Sequence, residues 1–63
     1  MVEDLLRESQ ELIERASTLL ESCVEELSRS GVHPAVLVRA CLAQEQVSRA
    51  LRTIEILRRE CKT

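Results

Sequence analysis

Sixty-three residues, 44% hydrophobic and 32% charged, make one small domain that is too apolar for a disordered tail and too short to bury a large core. A net charge of −2 argues against an electrostatic grip on nucleic-acid phosphates, and the absence of Phe, Tyr and Trp removes the platforms on which single-stranded bases stack. The longest apolar runs, such as Ala40-Cys41-Leu42-Ala43, are far too short to span a membrane, and Met1-Val2-Glu3-Asp4 lacks the basic start of a signal peptide, so a cytosolic location is the expectation.

The first predicted element is a helix over about residues 3–29. Its apolar positions, Leu5, Leu6, Leu12, Ile13, Ala16, Leu19, Leu20, Cys23, Val24 and Leu27, recur at steps of three and four. At about 100° per residue they fill one sector roughly 140° wide. Glutamates, Arg15, Thr18 and Ser22 occupy the other side. Glu3 and Asp4 suit the positive end of the helix dipole and Arg29 the negative end.

Ser30-Gly31-Val32-His33 then breaks the pattern, and a turn is expected over residues 30–33. Gly31 can take the left-handed conformation that ends a helix, and Pro34 fits the first turn of the next. So short a connection makes the two helices antiparallel neighbours. His33, the only histidine, has no nearby partner for metal binding or proton transfer and reads as a loop residue beside the helix start.

The second helix is expected over about residues 34–60. Val36, Ala40, Ala43, Val47, Ala50, Leu51, Ile54, Leu57 and Cys61 share one narrow, alanine-rich face. In a hairpin, positions whose numbers sum to roughly 64 meet, so Leu27 is expected near Val36 and Leu20 near Ala43. The fold class is therefore all-α, an antiparallel two-helix hairpin forming a single domain over residues 1–63.

That pairing leaves apolar surface over. Between Ala35 and Ala43 only Arg39 is polar, and Leu37, Val38, Cys41 and Leu42 are expected to point away from the stripe, with Ile56 on the line of Val38. A helix that is apolar all round is a covered helix, so these five residues are the expected partner-binding site. The flanks of the first helix, including Leu5, Leu12 and Leu19, would stay half wet against so narrow a stripe. Each large apolar side chain left exposed forgoes roughly 1.5–3 kcal/mol, so an isolated hairpin should be marginal. Charge divides as well: residues 1–30 carry −5 and residues 34–63 carry +3, which favours the antiparallel arrangement and places Glu21–Glu26 near Arg39 and Glu8–Glu14 near Arg49–Arg58.

Chemistry-bearing patterns are lacking. Cys23, Cys41 and Cys61, at spacings of 18 and 20, form neither a zinc motif nor a disulfide framework and read as reduced thiols. Without a glycine loop, a Ser-His-Asp set or an inward acidic cluster, no catalytic residue, cofactor or metal is expected, and the chain is read as a non-enzyme.

Cys23, Glu26-Leu27, Arg29 and Gly31 at the end of the first helix, Pro34 opening the second, and Ala50-Leu51, Ile54 and Ile56-Leu57 beyond it give the chain a family likeness. Over roughly residues 16–60 it resembles the small helical-hairpin co-chaperones of the type III secretion needle subunit, the YscE/PscE type. The loop is one residue longer here, and Val36 to Gln46 adds nothing to the likeness. The resemblance implies a bacterial cytoplasmic protein in virulence-associated protein transport. Its hairpin would bind a tetratricopeptide-like chaperone, and the pair would keep the needle subunit monomeric until export. The alternative is a homodimeric four-helix-bundle regulator like Rop, or a generic helical adaptor. RNA binding would need a basic face, and Arg49, Arg52 and Arg59 make only a loose cluster; neither nucleic acid nor membrane is an expected partner. Ser9-Gln10-Glu11-Leu12 is similar to the signature of a sporulation-pathway phosphatase, but Ile13 stands where that signature has Asp, and this reading is rejected.

Overall fold

The computed structural model describes residues 1–61. Two helices of equal length account for it, α1 from Val2 to Arg29 and α2 from Pro34 to Cys61, each of 28 residues. A helix of that length is about 42 Å long at 1.5 Å per residue. The molecule measures 48 × 14 × 11 Å, so it is two helices side by side with a turn at one end. The chain is an antiparallel helical hairpin.

Neither helix carries glycine inside it, and the one proline opens α2. Short-range ion pairs decorate the exposed surface: Arg7–Asp4 at 3.5 Å, Arg29–Glu26 at 2.8 Å and Arg49–Glu45 at 3.0 Å. Each adds no more than a few tenths of a kcal/mol, about what such three- and four-residue spacings give on an exposed helix. Thr18 and Thr53 donate their hydroxyls to the carbonyls of Glu14 and Arg49 one turn earlier, which satisfies them without disturbing the helix.

The turn is built residue by residue. Ser30 ends α1 at φ −75°, ψ −9°, and both its N–H and its Oγ donate to the Glu26 carbonyl, at 2.9 and 2.7 Å. Gly31 follows at φ +70°, the left-handed conformation anticipated for it. His33 then does more than occupy a loop. Its Nδ1 accepts the Ala35 N–H at 3.1 Å, and its carbonyl accepts the Val36 N–H at 2.9 Å. It is the N-cap of α2, satisfying first-turn donors that have no intrahelical partner, while Pro34, lacking an N–H, leaves none to satisfy.

The seam between the helices is made of half-buried side chains. On α1 these include Leu6, Ile13, Leu20 and Leu27, spaced by seven, with Gln10, Ala16, Ser17 and Val24 beside them. On α2 they include Leu37, Ala40, Gln44, Val47, Leu51, Ile54 and Arg58, in alternating three- and four-residue steps, with Ala43 and Ser48 beside them. Here the structure corrects the expected face in part: Ala40, Ala43, Val47, Leu51 and Ile54 are half-buried as expected, and the other four are not. Val36, Ala50, Leu57 and Cys61 are exposed, and Leu37 lies half-buried in the seam. Two columns compete to flank Ala40, Val47 and Ile54. Hydropathy favours Val36–Ala43–Ala50–Leu57. The helix turns Leu37 inward along with the expected Leu51, which puts larger apolar groups against α1 and brings Arg58 to the polar side chains of α1.

Arg58 closes the open end of the hairpin. Its Nε and Nη2 donate to Glu3 Oε1 at 3.1 and 2.8 Å, and its Nη1 donates to Gln10 Oε1 at 2.8 Å. One guanidinium thereby grips α1 at two places two turns apart, which sets the register of the pair. Its partners Glu3 and Gln10 bracket the position expected opposite residue 58. The expected pairing of Arg49 across the hairpin gives way to Glu45 on its own helix, and Glu26 is taken by Arg29.

Candidate partner interface

Among the described residues no side chain is buried, apolar or polar. Two straight helices can cover only one stripe of each other, so even the seam stays half-exposed. The surface available for binding is therefore organised by which columns the seam does not use.

The first such surface lies on the outer side of α2 close to the turn. Val38 is 58% exposed and Leu42 51%, and Cys41 is exposed beside them. Ile56 is exposed further along the same helix. Of the five residues expected to bind a partner, four are thus on the surface, and Leu37 is not free to take part because it packs against α1.

A second surface, noted in the sequence only as a half-wet flank, is more exposed than that. Leu5, Leu12 and Leu19 are 65%, 63% and 64% exposed. Each stands one residue before a seam leucine or isoleucine of α1. The exposed Val36 and Leu57 likewise stand one residue before the seam column of α2. Because the helices run in opposite directions, these two columns fall on the same flank of the hairpin, with the small Ala43 and Ala50 between. The opposite flank is polar, carrying Glu3, Gln10, Ser17, Ser48 and Arg58. The signal for this asymmetry was present as the strict spacing of seven in Leu5, Leu12 and Leu19.

An open depression of about 380 Å³ is lined by Gln10, Glu55, Arg58 and Arg59, and Arg58 is already committed to Glu3 and Gln10. No group of three or more His, Cys, Asp or Glu side chains among the described residues is placed to hold a metal ion. Cys23 and Cys61, which stood in the apolar stripes of the two helices, are exposed, as is Cys41, and all three are free. No helix among the described residues is long and apolar enough to cross a membrane. No known protein family, curated protein or solved structure matches this chain.

Proposed function

We propose that the chain is a non-enzymatic co-chaperone, a helical hairpin that docks on a larger protein and is stabilised by doing so. The observation that carries this reading is the lack of any buried side chain among the described residues beside so many exposed leucines, valines and isoleucines. The chain exposes 5028 Å², against about 4,100 Å² for a compact globular monomer of 7.2 kDa. The excess, about 900 Å², is close to the ~800 Å² that each partner contributes to an interface of ordinary size.

In its specific form, the larger protein is a tetratricopeptide-like chaperone, and the two together hold a type III secretion needle subunit monomeric in the bacterial cytoplasm. A stack of helical repeats presents a concave groove, and a helix with an apolar outer side is the shape such a groove accepts. Val38, Cys41 and Leu42 form that side next to the turn, with Ile56 extending it. Neither nucleic acid nor membrane is part of this reading. The RNA-regulator alternative is weakened because Arg49, one of the three arginines of the loose Arg49, Arg52 and Arg59 cluster, is already paired to Glu45.

Co-expression with a tetratricopeptide chaperone and a needle-type subunit from the same gene cluster tests the assignment. The expected product is a soluble complex in which the needle subunit stays monomeric and from which Leu42→Asp hairpin is lost. Independent purification of the three proteins, with the needle subunit polymerising unhindered, refutes it.

A further inference from the structure

The flank of α1 that carries Leu5, Leu12 and Leu19 is self-complementary, and we infer that it is where a second copy of this chain packs, α1 antiparallel to α1, about a two-fold axis through Leu12. This surface lies on a different side of the hairpin from Val38 and Leu42, so the inference does not depend on the chaperone reading.

The argument begins with spacing. Leu5 and Leu19 are each seven residues from Leu12, so turning α1 end for end about Leu12 places Leu5 of one copy against Leu19 of the other and Leu12 against itself. An isologous contact has this property: what one copy presents, the other receives. A stripe that repeats every seven residues drifts only about 20° per heptad around a straight helix, so over the two heptads from Leu5 to Leu19 it stays on one side of α1.

Charge makes the same selection. Glu8 and Arg15 flank Leu12 at one turn on either side, and in the antiparallel arrangement Glu8 of one copy faces Arg15 of the other, twice per dimer. Neither side chain has an ion-pair partner within the hairpin among the described residues, although Arg7, Arg29, Arg49 and Arg58 all do. A parallel arrangement of the same helix would set Glu8 beside Glu8 and Arg15 beside Arg15. The surface at the proposed axis is also concave: a shallow groove of about 240 Å³ is lined by Glu8, Glu11, Leu12 and Arg15. Leucines in the centre with charges at the edge is the layout of a protein interface.

Sedimentation equilibrium of the full chain, over a concentration series, provides the test. The expected result is a monomer–dimer equilibrium. Leu12→Glu should weaken the dimer at least ~100-fold, since it sets two carboxylates against each other on the axis. Its circular dichroism should be unchanged, because Leu12 is already on the surface of the hairpin. Glu8→Arg and Arg15→Glu should each weaken the dimer about tenfold by placing like charges together, and the double variant Glu8→Arg/Arg15→Glu should restore it. Leu42→Asp should leave the dimer intact while removing chaperone binding, so failure of either proposal is read separately. A chain that stays monomeric up to ~1 mM, or a dimer indifferent to Leu12→Glu, overturns the inference. A double variant no tighter than the single ones overturns the antiparallel pairing.

Discussion

Gly31 and His33 do complementary work in the turn, one releasing the chain from α1 and the other starting α2. A Cβ built on Gly31 meets nothing within 4 Å, so the cost of Gly31→Ala is purely that of a left-handed backbone, about 1–2 kcal/mol. His33→Ala removes the acceptor for the Ala35 N–H and should cost about 0.5–2 kcal/mol, whereas His33→Asp, supplying a carboxylate at the same cap, should hold or raise stability. Urea titration followed by circular dichroism measures all three. The three exposed thiols should leave non-reduced protein with the intact mass of three free cysteines; a mass short by two hydrogens would contradict the structure. Gly31 and Pro34 were legible in the sequence because each has a conformational signature. The cap was not, since histidine stands outside the usual Ser, Thr, Asp and Asn set, and its role depends on a ring nitrogen reaching one particular N–H.

At the scale of the helices, the hairpin itself was readable from two amphipathic stretches and a single break. The face of α2 was readable only in part: Ala40, Ala43, Val47, Leu51 and Ile54 are half-buried as expected, while Val36, Ala50 and Leu57 are exposed and Leu37 and Arg58 take part in the seam. Read by hydropathy, Val36, Ala43, Ala50 and Leu57 outscore Leu37, Gln44, Leu51 and Arg58. What decides the matter is the neighbour: α1 offers Glu3 and Gln10 at the height of residue 58, and Arg58 takes both. A polar residue that belongs to a seam because of its partner cannot be found from its own helix. Two consequences are measurable. Leu37→Asp should unfold the hairpin much as Leu20→Asp does, while Leu42→Asp and Val38→Asp should leave its helicity unchanged, and circular dichroism on the four variants separates these outcomes. Arg58→Ala should cost about 1 kcal/mol, a value held down by partial exposure, and the loss should shrink in high salt. Arg58→Lys should not rescue it, because an ammonium cannot reproduce the fork that reaches Glu3 and Gln10 together.

For the molecule as a whole, division of charge between the halves of the chain is real, but most of it is not spent across the hairpin. Among the described residues Arg58 bridges the helices, while Arg7, Arg29 and Arg49 bond within their own helix. What holds the pair is a seam of half-buried leucine, isoleucine, valine and alanine, and that seam lacks the fully enclosed side chains on which a self-sufficient domain relies. The central claim is that another chain covers the surface this hairpin leaves open. Thermal unfolding of the purified chain, followed by circular dichroism across a wide range of protein concentration and again with the chaperone added, tests it most directly. The account predicts a shallow, low-temperature transition for dilute protein that moves upward with concentration and further upward with the partner. A steep transition above ~80 °C that is indifferent to both would contradict it.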